Sequence, residues 1–327
     1  MPAETISAIE VATLDGPDGL RLAERAAPRP AEGEALIRVH AAGVSFPDLL
    51  LSRGAYQLRP APPFVPGLEV AGTVVSAPAD SGLAEGERVV AFTSLGGMAQ
   101  YATAPVAQVF PLPDELDWSA GAGLVVNYHT AWFALSWRGG LRRGETVLVH
   151  GAAGGVGSAA LQVARGLGAR TIAVVSSERK ERFARDAGAD EVVRVDRGWP
   201  DAVRALAPDG VDLVLDPVGG PVFDDSVRCL AAEGRVVVAG FAGGAIPQVR
   251  VNRLLLRNVS VVGAGLGAFT GTRPDAARAI GDAVTALVRD GHVRPLVSAR
   301  LPLADAAEAL RLLERRAALG KVVLDVP

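Results

Sequence analysis

The sequence predicts an α/β protein in two parts, one β-rich and one doubly wound around a parallel sheet. Two observations carry this. From residue 146 onward, near-continuous Val/Ile/Leu runs alternate with helical patterns: TVLVH (146–150), TIAVV (171–175), EVVRV (191–195), VDLVLD (211–216), GRVVVAG (234–240) and VSVVGAG (259–265). Strands apolar on both faces belong to a parallel sheet covered by helices. Before about Pro113 the texture differs. Short extended runs, ALIRVHAAG (35–43), EVAGTVVSA (69–77) and ERVVAFTS (87–94), alternate with breakers such as Pro60, Pro62, Pro63 and Pro66, as in a partly open barrel or meander.

The helices follow from caps and stops. Asp117 is placed to cap a helix over Ser119–Trp137, with Asn127 and Thr130 one turn apart on one face. Helical patterns over 157–168 and 178–188 both end in glycine. Further helices are expected at Pro274–Arg289 and Leu303–Ala317, an extended piece at 297–302, and a last strand at 321–326 that is a candidate to return to the first part.

The chain of 327 residues has room for two domains and shows no repeat at solenoid periods. Its 49% hydrophobic content supplies real cores and argues against disorder. The net charge is −3 and no run of five like charges occurs, so neither a nucleic acid nor an anionic membrane is an expected partner. The single Cys229 precludes an internal disulfide and a thiolate zinc site, and fits a reducing compartment. The N-terminal MPAETISAIEVATLDG lacks the basic and apolar regions of a secretory signal, and no stretch reaches the ~18 apolar residues of a membrane span. A cytoplasmic protein is expected.

The strongest local motif is His150-Gly151-Ala152-Ala153-Gly154-Gly155-Val156-Gly157, which follows an apolar strand and opens a helix. Missing side chains let such a turn close tightly and let backbone approach a pyrophosphate, while the helix N-terminus offers free N–H groups to the anion. A dinucleotide is therefore the expected ligand, with a packing turn as the plainer reading. NAD sites place Asp or Glu at the end of the next strand to hold the ribose 2′-hydroxyl. Here Ser176-Ser177 stand there, followed by Glu178, Arg179 and Lys180. Hydroxyls beside a cation suit a 2′-phosphate, so NADPH is expected, although Arg179 and Lys180 also read as the solvated face of a helix.

With those residues in hand, the chain resembles the medium-chain dehydrogenase/reductase superfamily, and within it the zinc-free quinone oxidoreductase (zeta-crystallin-like) group. The likeness runs through Ala42–Asp48, Arg53-Gly54-Ala55-Tyr56, Pro63–Gly72, Gly86–Val89, Val126–Ala131, Asp216–Gly220 and Gly320–Leu324. It implies a GroES-like catalytic domain (1–118 and 268–327), a Rossmann domain for NADPH (119–267), a cofactor in the cleft and a homodimer or homotetramer, with the homodimer favoured. By the same resemblance Asn127 and Thr130 lie beside the backbone of Gly154, Gly155 and Val156, and Ser176 and Lys180 hold the 2′-phosphate. Gly240, Phe241, Ala264 and Gly265 line the nicotinamide ribose and carboxamide, Lys321 reaches the cofactor, and Ser45 and Phe46 wall the substrate side. Many relatives carry Asn where Ser45 stands, and an aromatic pair where this chain has Leu266-Gly267-Ala268-Phe269.

Zinc-dependent relatives place a Cys before the catalytic helix and Gly-His-Glu after it; the corresponding positions here are Ser45 and Gly67-Leu68-Glu69. His40, His129, His150 and His292 are scattered. No metal is expected, which leaves direct hydride transfer to a conjugated acceptor. A quinone is the leading acceptor. An activated C=C bond (enone, enal, haloacrylate or enoyl thioester) is the alternative, and it would gain more from a donor, for which Tyr56 is the candidate. A nucleotide-binding regulatory or RNA-binding protein with little turnover is the reading from another class.

Overall fold

The computed structural model describes residues 4–195 and 198–327; the first three residues of the N-terminal segment read above lie outside them. The chain forms two compact units. One takes the residues up to Val126 with Arg273–Asp282 and Pro295–Pro327, and the other takes Asn127–Thr272 and Ala283–Arg294. The boundaries expected from sequence lie at 118/119 and 267/268.

The first unit opens with β1 (Thr5–Val11) and β2 (Leu20–Ala26), an antiparallel pair. Then come β3 (Glu34–Val44), α1 (Phe46–Leu51), β4 (Glu69–Ser76), β5 (Arg88–Phe92), β6 (Tyr101–Pro105), β7 (Val109–Pro111) and α2 (Trp118–Gly121). Ala35, Ile37 and Val39 of β3 pack with Val70, Val89 and Val109 in one core.

The expected helix over Ser119–Trp137 is corrected by the structure. After α2 the chain turns, and Val125–His129 and Phe133–Arg138 wind as π-helix on either side of a short α3 (Thr130–Trp132). Gly121 and Gly123 weaken the α pattern, and both sit in tight places: a Cβ at Gly121 would lie 2.8 Å from Leu112, and one at Gly123 3.1 Å from the Lys321 stem.

The second unit carries β8 (Thr146–His150), α4 (Gly155–Gly166), β9 (Arg170–Val175), α5 (Glu178–Asp186) and β10 (Glu191–Arg194). It continues with α6 (Trp199–Leu206), β11 (Val211–Asp216), α7 (Val222–Cys229), β12 (Leu230–Val238), α8 (Val251–Arg257), β13 (Ser260–Gly263) and α9 (Leu266–Thr270). The sheet runs β10-β9-β8-β11-β12-β13 with every neighbour parallel. This is the doubly wound order, in which the connections reverse direction between β8 and β11.

α10 (Pro274–Arg289) leads to β14 (Val297–Pro302), α11 (Ala306–Glu314) and β15 (Lys321–Asp325). β15 pairs antiparallel with β3, Val322 opposite Val44, so the terminal strand returns to the first unit. That sheet runs β14-β15-β3-β4-β5-β7, with β6 also on β3. The expected helix Leu303–Ala317 is shorter: it begins as a 3₁₀ turn at Leu303–Asp305 and is closed by Arg316 at φ 54°, in the left-handed region. Among the described residues no helix is long and apolar enough to cross a membrane.

Candidate active site

In the second unit the expected ligand residues fall beyond the C-terminal ends of neighbouring strands. Gly151–Val156 follow β8, Ser176 follows β9, Gly240 and Phe241 follow β12, and Ala264 and Gly265 follow β13. In open parallel sheets ligands bind at this edge, at the switch point. The turn after β8 is built for close approach. Gly151 sits at φ 59°, and Gly154, the N-cap of α4, provides no side-chain cap. The first N–H groups of this twelve-residue helix are therefore left without a side-chain cap, as an anion site requires. A Cβ on Gly157 would lie 2.2 Å from the Gly151 carbonyl oxygen, and one on Gly155 2.7 Å from the Asn127 side-chain nitrogen. Asn127 is thus packed against the turn, from a π-helical segment rather than an α-helix. Thr130 opens α3 three residues on.

Beyond β9 the Lys180 ammonium donates to the Ser176 hydroxyl at 3.1 Å, and the Ser177 hydroxyl caps α5 by accepting from the Lys180 amide. In the sequence Val175, the last residue of β9, is followed by Ser176 and Ser177 and not by a carboxylate. A hydroxyl beside a half-buried ammonium fits a phosphate monoester.

In the first unit Ser45, Glu69 and Lys321 form one buried cluster. Lys321 donates to the Ser45 hydroxyl at 2.7 Å and to Glu69 Oε1, and the Ser45 hydroxyl donates to Glu69 Oε1 at 3.1 Å. Lys321 is 3% exposed and Glu69 fully buried. Gly43 leaves space for them: a Cβ there would stand 2.7 Å from both Lys321 Cε and Glu69 Cγ. Phe46, the first residue of α1, packs against the core of the sheet. Asp48, also fully buried, accepts from the Ser45 amide at 2.8 Å and the Gly67 amide at 3.1 Å.

Burial pushes the Asp48 carboxyl up to about 7, against the pull of those two amides and of Lys321 and with a further push from Glu69. Because the raised acid favours its protonated form in the fold, its contribution to stability is complete below about 4 and lost as pH rises through 7. His129 and His150, pushed down by burial to about 3 and about 4, act in the opposite sense, losing stability as pH falls below about 6.5. The melting temperature of Asp48→Asn minus that of the wild type is therefore expected to rise between pH 5 and pH 7 and to level off above. A flat difference would contradict this assignment.

Tyr56 is half-buried beside Val11, Leu51, Phe64 and Leu68. Burial, and then the Asp48 carboxylate, hold its phenol above the ordinary range. It therefore keeps its proton and remains a hydrogen-bond donor.

His40 stacks on Trp118 at 4.5 Å between centroids, and His150 bonds the Ser226 hydroxyl at 2.7 Å. Among the described residues, no three or more His, Cys, Asp or Glu side chains are grouped to hold a metal ion. Glu69 was not read from the sequence as the partner of Lys321. A signal was available: a carboxylate and an ammonium each begin an apolar strand, and a buried charge needs a counter-charge.

A doubly wound unit with an open phosphate turn, joined to a β-rich unit with a buried polar cluster, defines a dinucleotide-binding oxidoreductase. Comparison with known proteins agrees. A family described as alcohol dehydrogenase GroES-like domain matches residues 31–114, and one described as zinc-binding dehydrogenase matches 155–282. Quinone oxidoreductase-like protein 2 of Bos taurus is 37% identical over 309 residues, covering 93% of this chain and 88% of its own. A probable oxidoreductase from Mycobacterium abscessus superposes with a TM-score of 0.91 at 44% identity, covering 98% of this chain and 99% of its own. The quinone oxidoreductase from Thermus thermophilus, solved also in complex with NADPH, gives 0.82 at 34% identity with coverage of 98% and 99%. The chain belongs to the quinone oxidoreductase group of the medium-chain dehydrogenase/reductase superfamily.

Proposed function

We propose that this protein, an NADPH-dependent oxidoreductase, passes reducing equivalents to a quinone without a metal. The carrying observation is the self-contained polar cluster of the first unit. Lys321, Glu69 and Ser45 satisfy one another, which leaves the Tyr56 phenol against an apolar wall of Val11, Leu51, Phe64 and Leu68. Such a surface suits a flat, neutral, carbonyl-bearing acceptor.

NADPH, when bound, supplies the hydride. The uncapped turn at Gly154–Val156 would hold the pyrophosphate, with Asn127 and Thr130 beside it. Ser176 and Lys180 would hold the 2′-phosphate, and Gly240, Phe241, Ala264 and Gly265 would line the nicotinamide end. The metal-free reading rests on donor chemistry, since Ser45 and Leu68 provide neither thiolate nor imidazole. A quinone delocalises the charge it receives and takes its proton from water. An activated alkene would draw instead on the Tyr56 hydroxyl as donor.

The test is NADPH oxidation by chelator-treated protein with benzoquinones, naphthoquinones, an enone and a crotonyl thioester. Turnover with quinones, reduced less than about tenfold in Tyr56→Phe, is expected. Turnover confined to the alkenes and lost in Tyr56→Phe would move the protein to the alkene reductases.

The exposed edge strand β13 and the apolar Ile246, Val251, Leu255 and Leu256, all more than 70% exposed, support a homodimer. An open strand edge finds its natural partner in the same strand of a second copy. Leu255→Asp with Leu256→Asp is expected to sediment as a monomer where the wild type sediments as a dimer. The reducing compartment suggested by the single cysteine makes the cytoplasm its proposed location.

A further inference from the structure

The Lys321–Glu69 pair lies under one particular backbone amide. Glu69 Oε2 accepts from the Val126 amide at 2.8 Å, while Oε1 takes Lys321 and Ser45. Val126 is the last residue of the first unit before the chain crosses to the second, and Asn127 follows it directly. It also lies at the start of the π-helical turn Val125–His129, where the first N–H groups have no partner within the helix. Helices are ordinarily capped by the residue just before them. This one is capped by a carboxylate 57 positions away, on a strand of another part of the fold.

A single bond from Glu69 would position this amide loosely if the carboxylate could turn. It cannot. Oε1 is fixed from two sides, by the Ser45 hydroxyl and the Lys321 ammonium. Lys321 is one of only two lysines in a chain with 33 basic residues, and the other is Lys180. Its unbranched stem runs where Gly43 and Gly123 carry no side chain, and a compact ammonium fits at its end.

We propose that Glu69 and Lys321 are positioning residues that fix the start of the π-helical turn and thereby hold Asn127 against the phosphate turn. This rests on the NADPH reading above for its consequence, but the clamp itself is a property of the chain. Asn127 already lies within contact of the Gly155 position, so a small rotation of the π turn would move its amide into or away from that cradle.

The test uses the full-length double variant Glu69→Gln/Lys321→Met, which removes both charges together and leaves none buried alone. Amide hydrogen exchange is read over residues 124–130, and NADPH affinity by fluorescence titration. Exchange at Val126 and Asn127 is expected to quicken about tenfold while the β8 and β9 amides keep their protection. The dissociation constant for NADPH should rise about tenfold, with a smaller change in kcat at saturating cofactor. Unchanged exchange at Val126 would overturn the clamp, and faster exchange with unchanged NADPH affinity would overturn its positioning role. A wild type that bound no NADPH would refute the cofactor reading and that positioning role, and the exchange comparison would still decide the clamp.

Discussion

Gly157→Ala is expected to abolish tight NADPH binding and to destabilise the second unit. A Cβ at this position would lie 2.2 Å from the Gly151 carbonyl oxygen and 2.7 Å from Ala152 Cα, both backbone atoms of the turn itself. Side chains can move aside, but here the neighbour is the chain that forms the anion cradle. Relief requires opening the turn between β8 and α4, which moves the N–H groups of Gly155 and Val156 away from the ligand. Overpacking of this kind costs about 1–3 kcal/mol in stability. The loss of aligned donors should raise the dissociation constant for NADPH at least about tenfold, or 1.4 kcal/mol. Fluorescence titration together with a thermal melt checks both, and wild-type affinity in this variant would contradict the assigned role of the turn. Gly155→Ala should be milder, because the nearest atoms belong to the side chain of Asn127.

Lys321→Met alone should be among the most damaging substitutions in the first unit. It leaves Glu69 fully buried with its charge and without its cation, a situation that costs about 3–5 kcal/mol. The urea midpoint should fall accordingly. Replacing Glu69 by Gln in the same chain should recover most of that loss, because the unpaired charge disappears. The recovery separates charge burial from simple loss of packing: a single and a double variant of equal stability would show that the pair contributes only volume.

The contrast between these two predictions mirrors what the sequence revealed. The turn was legible because its parts are consecutive, with glycines at 151, 154, 155 and 157 between a strand and a helix. The parallel strands were legible for a similar reason, since burial on both faces demands runs such as VDLVLD, which became β11 at the expected residues. Less of the helical structure could be read. α6 is only eight residues long, so its Trp199, Val203 and Leu206, though at helical spacing, span barely two turns, and the start of the π winding before Asn127 is held by a carboxylate far away in the chain. The cluster of Ser45, Asp48, Glu69 and Lys321 was hidden because it is assembled by pairing β3 with both β4 and β15. Lys321 was expected at the cofactor on the strength of a resemblance; the structure places its ammonium on Ser45 and Glu69.

The most direct test of the central claim is the ratio of kcat/KM for NADPH to that for NADH, measured with one naphthoquinone as acceptor. Ser176 and Lys180, with no carboxylate at the end of β9, predict a preference for NADPH of at least about a hundredfold. Equal use of the two cofactors, or no oxidation of either, would contradict it.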